Sequence, residues 1–119
     1  MPLEPSSAQA TGLRLHSHTW EDATVVECGG RLTTEHSDAL KNYVRGVIPH
    51  NRRVILDLKE IHRMDSAGLG AIVALYISAK KGNCDLLLIN YNKSIKDLLG
   101  LTNLLSIFEA CAQSGMRLP

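Results

Sequence analysis

Hydrophobic and polar residues alternate along this chain with two periods, one typical of strands and one typical of helices. Four short runs have the composition and length of strands: residues 13–19, 24–28, 54–58 and 86–89. In the first run Leu13 and Leu15 alternate with polar neighbours, so we expect a half-buried strand at the edge of a sheet. The run at 54–58 is apolar on both faces, as expected of a central strand covered by helices on at least one side.

The spacing of apolar residues predicts a first helix after the second strand. Thr33 and Thr34 are both suitable N-cap residues for it, and Pro49 is expected to end it. Its predicted buried face consists of Leu40, Tyr43, Val44 and Val47.

Two further helices follow the third and fourth strands. One is predicted from Ser66 to Lys80, with Lys81 and Gly82 at its end. Its expected buried stripe comprises Leu69, Ile72, Val73 and Tyr76. The next begins at Ser94 in a sequence resembling a capping box, with Asp97 at the fourth position.

The alternation of strands and helices predicts an α/β fold with parallel strand pairs and crossover helices. At 119 residues the chain has the length of one domain. We expect residues 1–12, which are rich in Pro, Ser, Ala and Gly, to form a flexible tail, and residues 13–119 to form the domain. Residues 107–110 fit a short strand and a helical turn equally well.

Composition excludes several classes of function. A net charge of +1 provides no strong field that would attract nucleic acid. The N-terminus does not have the pattern of a signal peptide, and no apolar run approaches the ~20 residues that span a bilayer, so we expect a cytoplasmic protein without membrane insertion. Cys28, Cys84 and Cys111 form no CxxC pair and are interpreted as small hydrophobic residues. We therefore expect neither a metal nor a cofactor.

The sequence from Met64 to Gly70 carries the candidate chemistry. Asp65 is placed to cap the second helix, and Ser66 then occupies its first, solvent-facing position. Gly68 and Gly70 leave the first turn without side chains, so another molecule could approach closely. The segment presents a hydroxyl group without an evident catalytic partner. We interpret it as a modification or docking site; an ordinary helix cap is the simpler alternative.

The motif Asp65-Ser66-Ala67-Gly68-Leu69-Gly70 resembles the D-S-[S/A]-G-L-G signature of STAS domains, the fold of bacterial anti-sigma factor antagonists. Three other segments resemble the family. In chain order they are Gly30-Arg31-Leu32-Thr33 before the first helix, Asp57 in Leu56-Asp57-Leu58, which matches an acidic position at the end of a strand, and residues 99–105. Together they cover roughly residues 20–110. The resemblance implies a mixed sheet with helices packed mainly on one face.

The resemblance also implies a function and a set of site residues. A kinase that is itself the anti-sigma factor would phosphorylate Ser66, and a phosphatase would remove the phosphate. The protein would then be a substrate and binding module, with no catalytic residue and no enzymatic activity. Asp57 would support the loop from the strand end, and the partner-binding residues would be Arg31, Thr33, Asp65, Ala67, Gly68, Leu69 and Gly70. Thr33 departs from the family pattern, which often has an acid there.

Two alternatives remain at the sequence level. A constitutive STAS scaffold, or an accessory subunit of a transport complex, would use the same surface without a phosphorylation cycle. A small hydrolase using Ser66 and His62 is conceivable because the two residues are close in sequence. However, the chain has no G-x-S-x-G elbow and no recognisable oxyanion partner for Ser66.

Overall fold

The computed structural model describes residues 7–10 and 12–101. The elements in chain order are β1 (Ser7–Ala10), β2 (Leu13–Trp20), β3 (Ala23–Leu32), α1 (Ser37–Val47), β4 (Arg53–Met64), α2 (Ser66–Lys81), β5 (Asp85–Ile89) and α3 (Lys93–Leu101). A 3₁₀ turn at Ile48–His50 follows α1, where Pro49 was expected to end the helix. The predicted short element at 107–110 and Cys111 lie outside the described residues.

The strands form one sheet in the order β1-β2-β3-β4-β5. The pairs β1–β2 and β2–β3 are antiparallel, whereas β3–β4 and β4–β5 are parallel. Parallel neighbours require crossover connections, and α1 and α2 lie in these two connections. The predicted α/β architecture with a mixed sheet is confirmed.

Strand β1 lies within the segment that composition predicted to be a loose tail. Ser7 pairs with His16 and Ala10 pairs with Leu13, so β1 is the outer strand and β2 is not at the edge. The prediction of a structureless segment is therefore wrong for Ser7–Ala10. Backbone hydrogen bonds join these two strands, and the hydrophobicity of the side chains does not predict backbone pairing.

The helices pack mainly on one face of the sheet, as predicted. The larger core cluster combines inward residues of the strands with Leu40 and Val44 of α1, residues of α2, and Ile95 and Leu99 of α3. A smaller cluster on the opposite face consists of strand residues only: Ala23, Val25, Ile55 and Leu87. In α1 the predicted face is confirmed, with Tyr43 and Val47 packed against the larger cluster.

Helix α2 is rotated relative to the prediction. Leu69, Ile72, Leu75 and Ala79 are buried, whereas Val73 and Tyr76 are only half-buried. Nearly every side of this helix carries apolar residues, so periodicity alone did not select the buried face.

The start of α3 also differs from the prediction. The side chain of Asn92 accepts a hydrogen bond from the backbone of Ile95 at 2.9 Å, so Asn92 caps the helix and Ser94 does not.

Strand β4 continues six residues beyond the apolar run predicted at 54–58, and this additional part contains two bulges. Glu27 pairs with Asp57 but Gly29 pairs with Glu60, and Gly30 pairs with Ile61 but Arg31 pairs with Arg63. Each shift adds one residue to β4 relative to β3. The core-facing positions of β4 therefore change from a spacing of two to a spacing of three: Val54, Leu56, Leu58, Ile61 and Met64.

Candidate functional site

The junction between β4 and α2 presents Ser66 at the surface. Asp65 has an extended backbone, with φ −111° and ψ −174°, and its carbonyl accepts the first helical hydrogen bond, from Leu69, at 3.0 Å. Ser66 is thus the first residue of α2, and it is exposed. Within the described part of the chain its side chain has no hydrogen bond. The predicted position of Ser66 at the helix start is confirmed.

Asp65 caps α2 with one carboxylate oxygen and contacts a distant loop with the other. Oδ1 accepts from the backbone of Gly68 at 3.0 Å, which satisfies one of the free N–H groups of the first turn. Oδ2 accepts from both the backbone N–H and the hydroxyl of Thr34, each at 3.0 Å. The Gly68 hydrogen bond, and after it those from Thr34, hold the pKa of Asp65 below its ordinary value. Asp65 therefore carries a full negative charge at neutral pH.

Thr34 contacts Asp65, a position that the sequence did not predict for it. Thr33 and Thr34 were expected to cap α1, but His36 occupies the N-cap position, and it has no side-chain cap. The Thr33 carbonyl accepts from the backbones of His36 and Ser37, both at 2.9 Å, while Thr34 binds Asp65. Thr34 and Asp65 are 31 residues apart, and no local pattern relates residues at that separation.

Gly68 faces the protein interior. A Cβ atom on Gly68 would lie 2.1 Å from the carbonyl oxygen of Leu32, and the backbone N–H of Asp65 donates to that same oxygen at 3.3 Å. Leu69 is 6% exposed and belongs to the core. The prediction that Gly68 and Leu69 form the docking surface is therefore corrected, since the protein's own backbone and core already occupy their surroundings.

Gly70 and Ala67 lie on the outside of the first turns of α2. Gly70 is exposed, with no atom within 4 Å of the point where a Cβ atom would lie, and Ala67 is half-buried. Arg31, near the end of β3, is exposed, and Thr33, in the loop that follows β3, is half-buried. We call the following set the Ser66 surface: Arg31, Thr33, Thr34, Asp65, Ser66, Ala67 and Gly70.

The end of β3, which leads into the loop that contacts Asp65, is also joined to the β1–β2 turn. The Arg31 backbone donates to the carbonyl of Gly12 at 2.7 Å. Gly12 and Gly30 have φ of 87° and 100°, and a Cβ on Gly30 would lie 2.1 Å from the Gly12 oxygen. Both positions therefore require glycine. This contact positions Arg31 at the edge of the Ser66 surface.

Asp57 does not lie at the end of its strand, because β4 continues to Met64. Its carboxylate accepts from the backbone of Lys59 at 3.0 Å and from the side chain of Asn90 at 3.2 Å. The hydrogen bonds that the structure gives Asp57 thus stabilise the first bulge of β4 and the end of β5. The predicted direct support of the serine loop is wrong, since the bulged half of β4 separates Asp57 from that loop.

His62, the candidate partner of Ser66 in a hydrolase, lies on β4. It is exposed and lines a cleft of about 400 Å³ between the end of β4 and α3, together with Arg63 and Ser94. Across the described residues no hydrogen bond joins His62 to Ser66. The sequence reasoning did not foresee this cleft, since it depends on how α3 packs beside β4.

Both cysteines in the described part of the chain are free and buried. Burial, reinforced by the nearby charges of Asp57 and Glu27, raises the pKa of Cys28 to about 12. Burial also raises the pKa of Cys84. Neither thiol is ionised at neutral pH, so neither has the reactivity of a nucleophile.

Metal binding and membrane crossing receive no support from the described residues. Between residues 7 and 101, leaving out 11, no three His, Cys, Asp or Glu side chains are grouped so that they could hold a metal ion. Among the helices of the same region, none combines the length and apolar character needed to cross a bilayer.

Comparison with known proteins relates this fold to one sequence family. The model of the STAS domain family matches residues 15–115. The structure is similar to the unphosphorylated form of the Bacillus anti-sigma factor antagonist SpoIIAA, with a TM-score of 0.68 and 14% identity over 77% of this chain and 83% of that chain. An anti-sigma factor antagonist from Mycobacterium paratuberculosis gives a TM-score of 0.70 and 18% identity over 81% and 82% of the two chains.

A transport-related protein has the same fold. The sulfate transporter family protein from Wolinella succinogenes gives a TM-score of 0.65 and 18% identity, over 73% of this chain and 71% of that chain. At these identities the likeness to each solved structure shows the fold alone.

Proposed function

The chain belongs to the STAS domain family, and from this premise we propose that it is an anti-sigma factor antagonist whose partner binding is switched off by phosphorylation of Ser66. In the proposed cycle the unphosphorylated protein binds a cognate anti-sigma factor kinase in the cytoplasm, which releases a sigma factor for transcription. The kinase transfers a phosphoryl group from ATP to Ser66, the complex dissociates, and a phosphatase resets the protein. The protein itself is a substrate and a binding module and performs no catalysis.

The proposal rests on the exposure, the hydrogen bonding and the position of the Ser66 hydroxyl. It is exposed, unpaired within the described chain, and located at the first position of a helix whose cap is already provided by Asp65. A kinase can reach such a hydroxyl without breaking any structural hydrogen bond. A serine that served only as a helix cap would have its oxygen bound to a backbone N–H, and here Asp65 fills that role.

The local geometry allows a phosphate on Ser66 without unfolding. A phosphoserine adds about −1.5 to −2 charges and three acceptor oxygens. The positive end of the α2 dipole and its remaining free N–H groups attract this charge, whereas the adjacent Asp65 carboxylate repels it. Because these effects oppose each other in an exposed position, the fold is expected to persist.

A partner docked on the Ser66 surface, in contrast, would have to bury the negative charge of phosphorylated Ser66 at the interface. A surface packed over Ala67 and Gly70 leaves no room for a hydrated dianion at Ser66. Burying an unpaired charge costs several kcal/mol, and each ~1.4 kcal/mol lowers affinity tenfold. The switch therefore needs no large conformational change.

A second candidate is a STAS module in a transport complex that binds its partner constitutively. The likeness to the sulfate transporter family protein from Wolinella succinogenes favours it, at a similar TM-score to the antagonists. Such a module would use the same exposed surface, and Ser66 would remain unmodified.

The deciding experiment is intact-mass measurement of the protein purified from its own cells, with mapping of any added phosphate. Growth and stress conditions should be sampled, and Ser66→Ala serves as the matched control. Phosphate on Ser66 that disappears in Ser66→Ala supports the switch. An unmodified Ser66 in every condition, together with copurification of membrane transport subunits, would overturn the switch and support the transport module.

A further inference from the structure

We propose that Thr34 is a positioning residue for the Ser66 switch. By donating hydrogen bonds to Oδ2 of Asp65, Thr34 keeps that carboxylate away from the Ser66 hydroxyl. The part of this inference that concerns phosphorylation rests on the proposed function. The part that concerns Asp65 does not depend on any partner.

The division of the Asp65 carboxylate is the first step of the argument. Oδ1 binds Gly68, and Oδ2 receives two hydrogen bonds from Thr34, one from the backbone and one from the hydroxyl. Both oxygens therefore have partners, and their directions are fixed by a helix on one side and a loop on the other. Hydrogen bonds to an ionised carboxylate are stronger than neutral ones, so this arrangement defines one orientation of the side chain.

The second step is what Oδ2 would do if it lost the hydrogen bond from the Thr34 hydroxyl. The Ser66 hydroxyl is on the next residue and has no partner within the described chain. A free carboxylate oxygen is a strong acceptor for a neighbouring hydroxyl. Without the Thr34 hydroxyl, Oδ2 would keep only the hydrogen bond from the Thr34 backbone. It would then accept from the Ser66 hydroxyl and draw that hydroxyl out of the orientation in which it faces solvent.

The third step concerns the phosphorylated protein. A dianion on Ser66 would stand beside the negative Asp65, and repulsion would favour rotation of the carboxylate away from Gly68. The two donors of Thr34 disperse the charge of Asp65 and hold it on the side of the 32–36 loop. Thr34 therefore allows the helix cap and the phosphate to exist together, which a reversible switch requires.

Thr34 is suited to substitution because its side chain is exposed. Thr34→Val keeps the shape and the backbone donor but removes the hydroxyl, and Thr34→Ser restores the hydroxyl. Thr19→Val is a matched control, because Thr19 is exposed on β2 and lies outside the Ser66 surface. None of these changes opens a cavity in the core.

The test begins with an NMR titration of the Asp65 carboxyl carbon in the wild type and the three variants. We expect the pKa of Asp65 to rise toward its ordinary value in Thr34→Val, and to match the wild type in Thr34→Ser and Thr19→Val. An Asp65 titration in Thr34→Val that coincides with the wild type would overturn the inference, whatever the partner proves to be.

The second readout is phosphorylation of Ser66 by the kinase that modifies the wild-type protein. We expect the kcat for Thr34→Val to fall at least fivefold with KM within twofold, and Thr34→Ser to recover the wild-type rate. Equal rates for Thr34→Val and wild type would overturn the positioning role. If no kinase phosphorylates wild-type Ser66, the proposed function fails instead, and the Asp65 titration still decides the role of Thr34 in holding the carboxylate.

Discussion

The carbonyl oxygen of Leu32 lies directly against Gly68, in the position that a side chain on residue 68 would occupy. The same oxygen accepts the backbone N–H of Asp65, so β3 and the start of α2 meet at a single atom. The glycines of the motif thus have different roles. Gly68 permits this internal contact, and Gly70 lies on the open side of the helix.

Gly68→Ala is expected to destabilise the protein by about 2–3 kcal/mol, because a backbone atom must move to admit the methyl group. Gly70→Ala, at an exposed helical position with open space around it, is expected to stabilise by about 0.5–1 kcal/mol. Urea unfolding of the two variants beside the wild type measures both effects. A Gly68→Ala variant as stable as wild type would show that the contact with Leu32 is not tight.

Ser66→Asp should weaken partner binding at least tenfold, or about 1.4 kcal/mol, while leaving the melting temperature nearly unchanged. The position is exposed, and a carboxylate at a helix start gains about as much from the helix dipole as it loses beside Asp65. Ser66→Asn, similar in size but neutral, separates charge from bulk, and Ser66→Ala should bind constitutively. Calorimetry with the isolated partner and a thermal melt give the two quantities. A large drop in melting temperature would assign Ser66 a structural role instead.

Asp65→Asn should lower stability in a manner that depends on pH. The variant retains the oxygen that accepts from Gly68, but the NH2 group that replaces Oδ2 is a donor and cannot accept from Thr34. Because the pKa of Asp65 is lower in the folded protein, its stabilisation is complete above the ordinary value of about 3.9 and is lost as pH falls through the folded value.

The melting temperatures of wild type and Asp65→Asn should therefore differ at pH 6 and converge in acid, below about pH 3.9. A series of thermal melts from neutral pH downward provides the measurement. A difference that stays constant over the whole series would mean that the ionised carboxylate contributes nothing beyond its shape.

Cys28 should resist alkylation in the folded protein at pH 8. Its side chain is 2% exposed and its pKa is about 12, so the reagent cannot reach the thiol and the thiol is not ionised at this pH. Peptide mapping after iodoacetamide treatment should find Cys28 modified only when denaturant is present. Rapid labelling without denaturant would imply frequent opening of the core around β3.

The fold was largely predictable from the sequence because its strands and α1 follow regular periods. The buried face of α1 and the position of Ser66 at a helix start depend on neighbours within a few residues. The mixed sheet, in contrast, was implied by the resemblance to the STAS family, because its strand pairs join residues about 30 positions apart. The buried face of α2 was not predictable, since that helix is apolar on most sides.

The parts of the site that escaped prediction are set by long-range geometry. Thr34 meets Asp65 across 31 residues, and Gly68 meets Leu32 across a strand and a helix. Asp57 was placed at the strand end because the predicted apolar run stops at Leu58, whereas β4 continues through two bulges to Met64. When the spacing of apolar residues changes from two to three, the pattern predicts the end of a strand, although in β4 the strand continues to Met64.

The two bulges of β4 have a consequence for how the length of this chain can change through evolution. One extra residue in a strand moves every following side chain to the opposite face of the sheet, and a second extra residue moves them back. With both bulges present, Met64 and its pairing partner Leu32 lie on the same, core-facing side. Loss of a single residue between Leu58 and Met64 would turn Asp65 away from Thr34. Loss of two would preserve the parity of the strand but draw α2 back by about 6.6 Å, at ~3.3 Å per residue. Insertions and deletions compatible with this site are therefore expected in pairs, accompanied by matching changes in the loop that carries Thr34.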